Sequence, residues 1–191
     1  MPKCASCREP TTTRYGLTYA CSVDCVIAAA KAKAAKKQLK AQQAANRQHR
    51  ADKARIKTRR QWMAEAQIAF NAFIRARDWD KPCIDCGQWQ QRDSLTGGEW
   101  DCGHYRSVGS CPELRFDESN AARQLKQCNR QMSGRAVDYR LGLIARIGLE
   151  AVERLEGPHP PKKYTIPELQ AIIKEYRAKK RELERIRNES Q

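Results

Sequence analysis

The stretch Cys83–Ser133, CIDCGQWQQRDSLTGGEWDCGHYRSVGSCPELRFDESNAARQLKQCNRQMS, decides the reading of this chain. It opens on Cys83-x-x-Cys86, a knuckle whose tight turn Gly87 would ease. Trp89–Gln91 reads as a strand, Thr96-Gly97-Gly98 as a turn, and Glu99–Tyr105 as a returning strand. Asn120 or its neighbours then begin a helix that carries Cys128 and Asn129. The pattern predicts a β-hairpin followed by a helix. A zinc ion joining Cys83 and Cys86 to Cys128 would pin one to the other, since thiolates are the usual ligands of structural zinc.

The polar residues of this stretch point to chemistry on a phosphodiester. Such hydrolysis needs an activated water, a stabilised phosphate and help for the leaving oxygen. His104, at the end of the second strand, titrates near neutral pH and suits a general base. Asp101 and Asn129 offer oxygen donors to a magnesium or manganese ion. Asn120 is placed to fix the imidazole by one hydrogen bond.

Upstream, Cys4-x-x-Cys7 and Cys21-x-x-x-Cys25 form two close pairs that can surround a second zinc, with Gly16 turning the chain back. Residues 26–60 are rich in Ala, Lys, Gln and Arg, with no acidic residue between Asp24 and Asp52. They read as a solvated basic helix able to track phosphates. The side chains assigned to DNA are Lys36, Lys37, Lys40, Arg47 and Arg50 on this arm, with Arg59, Arg60 and Arg106 beyond it. Trp62, Ala66, Ala69, Phe70, Phe73 and Ile74 recur at helical spacing and are expected to pack on the central module. Val137, Leu141, Ile144, Ile147 and Val152 suggest a further core helix over 136–156. Thr165-x-x-Glu168 is a capping box opening a last basic helix.

Composition narrows the class. A net charge of +15 favours a polyanionic partner, above all nucleic acid. The basic segments lack an opposing face of large apolar residues, which argues against a membrane surface. Nine cysteines, several of them in CxxC-like pairs, without an apolar leader, fit metal binding in a reducing cytoplasm.

Taken together, the runs FNAFIRARDWDKPCIDCG, EWDCGHYRSVGSCPELRFDESN, CNRQMSG and YRLGLIARIGLEAVERLE, with the N-terminal cysteine pairs, resemble the NinG (Rap) recombination protein family of lambdoid bacteriophages. The resemblance covers nearly the whole chain. It implies a structure-specific endonuclease of the His-Asn-His type, acting on Holliday junctions and D-loops in the host cytoplasm. It also implies that His104 and Asn120 are catalytic and that Asn129 is a ligand of the catalytic ion. Ala122, Leu125 and Gln131 depart from the family pattern, which places histidine, the third zinc cysteine and histidine there. Leu125 leaves the fourth zinc ligand to Cys102 or Cys111, and Cys102 is preferred because it lies on the hairpin.

The expected fold is small α+β. An N-terminal zinc knuckle (1–25) and a basic helical arm (26–58) precede a ββα-metal, treble-clef-like nuclease domain with flanking helices (59–156) and a basic C-terminal helix (157–191). The expected partners are branched double-stranded DNA, other phage or host recombination proteins and a second copy of the chain. The competing reading is a non-catalytic, zinc-containing DNA-binding adaptor.

Overall fold

Side chains of Ser22, Thr58 and Thr165 cap three of the helix starts. The computed structural model describes residues 1–89, 99–131 and 135–189. It divides into two compact units, Met1–Lys57 and Thr58–Gln191.

In the first unit a two-stranded antiparallel ribbon, β1 (Arg14–Tyr15) and β2 (Thr18–Tyr19), turns at Gly16, whose φ of 60 demands a residue free of Cβ strain. The Ser22 side chain accepts from the Cys25 N–H and starts α1 (Val23–Ile56). This helix runs for 34 residues and buries none of them. Its stability rests on helix-forming composition, since no apolar face is covered.

In the second unit Thr58 and Gln61 form a reciprocal capping box that opens α2 (Arg59–Arg77). All six residues of its predicted apolar stripe, from Trp62 to Ile74, are buried. Strand β3 (Trp100–His104) follows. Its partner is β4 (Ala121–Leu125), with Trp100 opposite Leu125 and His104 opposite Ala121. This corrects the expectation of a helix starting at Asn120. Ala, Gln and Leu favour helix, but residues 121–125 are covered on both sides, and burial outweighs propensity. Of the predicted first strand, Trp89 lies in a bend; Gln90, Gln91 and the turn Thr96–Gly98 lie outside the described residues. A short π-helical turn, Gln127–Gln131, carries Cys128 and Asn129 directly after β4.

The helix expected over 136–156 is two helices, α3 (Ala136–Ile147) and α4 (Leu149–Glu156), broken at Gly148 with φ 84. Tyr139 and Leu143 of α3 and Val152 and Leu155 of α4 enter a core with Ile84, Leu114 and Ala122. Val137 and Leu141 instead face solvent, contrary to the sequence reading. Helix α3 sits so close to the knuckle loop that a Cβ on Gly142 would lie 1.8 Å from the Ile84 carbonyl oxygen. Thr165 and Glu168 form the predicted capping box for α5 (Ile166–Glu189), which lays Leu169, Ile173 and Tyr176 against α2. The fold is thus mixed α+β, mostly helical, with two small two-stranded sheets. No helix among the described residues is long and apolar enough to cross a membrane.

Candidate metal centre

The two knuckles share one backbone design. The Cys4 N–H donates to Glu9 O (2.8 Å) and the Arg8 N–H to Cys4 O (3.1 Å). Likewise the Cys83 N–H donates to Gln88 O (2.9 Å) and the Gly87 N–H to Cys83 O (3.0 Å). The residue after the second cysteine is left-handed in both, Arg8 and Gly87 each at φ 68. Glycine relieves that strain in the second knuckle; the first tolerates it with arginine.

The sulfurs of Cys4, Cys7 and Cys25 lie within 4.8 Å of one another, and Cys21 Sγ stands 3.6 Å from Cys7 Sγ. The four predicted ligands are therefore together. Backbone N–H groups of Ser6 and Cys7 hold the Cys4 thiol down to about 6, whereas hydrogen bonding to Cys7 pushes Cys21 up to about 12. Such a group shares negative charge and can accept a metal ion.

The second group comprises Cys83, Asp85, Cys86 and Cys128, whose ligand atoms also lie within 4.8 Å of one another. Cys83 Sγ donates to Asp85 Oδ1 at 2.7 Å and accepts the Leu125 N–H at 3.2 Å. Burial, then the Asp85 carboxylate, pushes the Cys83 thiol up to about 11. Three of the four donors are soft thiols, clustered with Cys83 and Cys128 buried, so the group could hold a metal ion. Cys102, the preferred fourth ligand, lies outside this group. Strand alternation puts it on the His104 face of β3, where burial pushes its thiol up to about 12. Cys111 also lies elsewhere, in the core with Leu114 and Tyr139.

Of the residues expected around a catalytic ion, two come together. Asn129 Nδ2 donates to Asp101 Oδ2 at 3.1 Å. Arg130 grips the same carboxylate with two hydrogen bonds, of 2.7 and 3.0 Å. Burial raises the Asp101 carboxyl, but Arg130 and Asn129 outweigh it and leave it below its ordinary range. His104 is not part of this cluster. It lies three residues along the strand, about 10 Å away by strand rise, and on the opposite face. Its Nε2 stands 3.1 Å from Arg115 O, and its ring packs against Phe70.

Asn120 does not touch the imidazole directly. It is fully buried, accepts the Arg106 N–H at 2.7 Å and donates to Arg106 O and Leu114 O. It thereby ties both ends of the loop whose Arg115 carbonyl meets His104. A carbonyl only accepts, so Nε2 carries the proton and the lone pair is left on Nδ1. Burial holds the imidazole below its ordinary range, partly opposed by the Arg115 carbonyl, and keeps it neutral. The unfolded chain thus binds more protons as pH drops through about 6.5. Stability is expected to fall between pH 7.5 and 5.5, before most carboxylates titrate. Urea titrations should show a smaller fall in His104→Gln; an equal fall would assign the effect elsewhere.

One polar hub escaped the sequence reading. Asp78, at the end of α2, is fully buried. Its carboxylate takes two hydrogen bonds of 2.9 Å from Arg77, one of 3.2 Å from Lys81 and one of 3.1 Å from the Arg123 N–H. Arg146 stands at 3.5 Å. Nothing local in Asp78-Trp79-Asp80 signals a partner 45 residues away.

The basic residues assigned to DNA fall in both units. Lys36, Lys37, Lys40, Arg47 and Arg50 are all exposed on α1. At 100° per residue, Lys36, Lys40, Arg47 and Arg50 lie within about 80° of one another, and Lys37 lies to one side. Arg60 is exposed, while Arg59 reaches Tyr164 O at 3.4 Å. Arg106 serves the loop, through its backbone bonds to Asn120 and a guanidinium set against Cys111.

The fold and these groups define a mostly helical α+β protein with two clusters of side chains, each able to hold a metal ion. The chain belongs to the family described as "Bacteriophage Lambda NinG protein", whose profile matches residues 1–187. It is similar to "Protein ninG" of Escherichia phage lambda, 46% identical over 135 residues, covering 71% of this chain and 63% of that protein. The corresponding proteins of Escherichia phage 933W and Salmonella phage P22 are each 45% identical over 135 residues, 71% of this chain and 64% of theirs. The chain spans less than two thirds of the length of these relatives. No solved structure matches.

Proposed function

We propose that the protein is a metal-dependent endonuclease acting on branched DNA intermediates of phage recombination, such as Holliday junctions and D-loops. The observation that carries this reading is His104, the last residue of the first strand in a strand–loop–strand–helical turn, oriented by a loop that Asn120 ties down. That order of parts is the one expected of a ββα-metal nuclease. The cysteine groups would hold structural zinc.

His104 would take a proton from water through Nδ1 while Nε2 stays bonded to Arg115 O. A bound magnesium or manganese ion would stabilise the phosphate charge and the leaving oxygen. Asp101 and Asn129 meet through the Asn129 amide N–H, but His104 does not join them and Arg130 occupies the carboxylate.

The test is cleavage of a four-way junction by the purified full chain, with magnesium or manganese added. His104→Ala is expected to cut at least ~100-fold more slowly, with metal content and circular dichroism unchanged. Undiminished cutting by that variant would remove His104 from catalysis. The Asp101–Arg130 ion pair favours a second reading, a DNA-binding adaptor without catalysis. Junction binding with no product at any metal concentration would establish it.

Both readings place DNA along α1. Counterion release links each phosphate contact to about 0.9 of the salt slope. Replacing Lys36, Lys40 and Arg47 with glutamine is expected to flatten the plot of log affinity against log salt by about 2–3. An unchanged slope would free α1 of that role.

A further inference from the structure

We infer that Asp85 is the fourth ligand of the Cys83 centre, binding through Oδ1, and that Gln124 is its positioning residue. The inference rests on reading that group as a metal centre. Three thiolates, from Cys83, Cys86 and Cys128, leave a tetrahedral ion one donor short. Leu125 has no donor in its side chain, which packs against Cys83 and Cys128, and its backbone N–H donates to Cys83 Sγ. Asp85 sits between the two knuckle cysteines and turns back, so that Oδ1 lies 2.7 Å from Cys83 Sγ.

The other carboxylate oxygen is held from the opposite side. Gln124 Nε2 donates to Asp85 Oδ2 at 2.9 Å. Gln124 is 1% exposed, a buried amide on β4 whose side chain points across the sheet face toward the knuckle. Space for it is made by Gly103 on the neighbouring strand, where a Cβ would lie 2.0 Å from Gln124 Oε1. One oxygen is thus fixed by the protein and the other is aimed among the sulfurs. Buried amides that hold a ligating carboxylate in this way set both its orientation and its affinity. The result is a three-thiolate, one-carboxylate centre, distinct from the four-thiolate group of the first unit.

The test uses the full chain and cobalt(II), whose thiolate charge-transfer absorbance counts sulfur ligands and whose affinity is read by competition with a chelator. The wild type should take up two ions. Gln124→Leu should weaken one of them about 10–100-fold, and Asp85→Asn by at least as much. Asp85→Cys should keep both ions and raise the charge-transfer absorbance by about one-seventh, from seven thiolates to eight. That variant guards against a simple folding failure. Cys102→Ser should leave both ions unchanged. Unaltered affinity and spectrum in Asp85→Asn, or loss of an ion in Cys102→Ser, would overturn the assignment. Uptake of a single ion by the wild type, at the first unit, would instead remove the metal centre itself and this inference with it.

Discussion

Asp78→Ala is expected to lose about 3–5 kcal/mol of stability, a large share of the roughly 5–15 kcal/mol that a folded domain possesses. The reason is geometric. Arg77, Lys81 and Arg146 all point at one fully buried carboxylate, which also accepts the backbone N–H of Arg123 on β4. Burial alone would raise the Asp78 carboxyl, but Arg77, then Arg123 and Lys81, hold it below its ordinary range. Removing it leaves a cluster of half-buried cations without an anion and strands a backbone donor. Arg77 also bonds Glu118 O and Ala121 O, so the damage spreads to the loop before β4. Asp78→Asn should be milder, because it keeps the shape and one acceptor. Urea unfolding of the full chain measures both; a loss under about 1 kcal/mol for alanine would mean the hub is solvated, as exposed pairs are. The same linkage sets an acid limit. This contribution is present above the unfolded carboxyl value near 3.9 and disappears as pH falls through the lower folded value.

Stripping bound metal with a strong chelator should unfold the N-terminal knuckle completely and the second knuckle only locally. Among residues 1–57, Cys4 and Ala20 are the buried ones. Such a ribbon has no apolar core to fall back on, and structural zinc contributes on the order of 10 kcal/mol in domains of that kind. The second unit differs. Phe70, Phe73 and Tyr176 join α2 to α5, and Tyr139, Leu143 and Val152 form a core that contains none of the clustered cysteines. Hydrogen exchange before and after chelation separates the two responses. Protection should vanish for the Cys4, Ala5 and Arg8 amides, while the α2 and α5 interiors keep theirs. Equal protection of the N-terminal amides with and without chelator would show that no ion holds the first knuckle.

The helices were legible because their signals are local. The Thr165–Glu168 box, the stripe from Trp62 to Ile74 and the acid-poor run of α1 each lie within a few turns of chain. Strand β4 was not, because the sequence AARQL has no strand signature and is extended only by the layers covering it. The buried face of α3 was misread for a related reason. Val137 and Leu141 are apolar at the right spacing, but the loop carrying Ile84 lies against the face of Tyr139 and Gly142 instead. Cys83, Cys86 and Cys128 were readable as a set by residue type. Asp85 and Gln124 were not, since a carboxylate beside a cysteine and a glutamine in a strand are ordinary in sequence.

By itself the sequence determined which residue types could hold a metal ion, where most helices start, and the family to which the chain belongs. Spacing and composition are properties of the chain, and they survive without a fold. Tertiary structure alone decided that His104 and Asp101 face opposite ways, that Asn120 acts through a loop, and that a carboxylate stands where a thiol was expected. Those depend on strand register and on which layer covers which face. A single residue of register exchanges the two faces, and no local pattern in β4 specifies it.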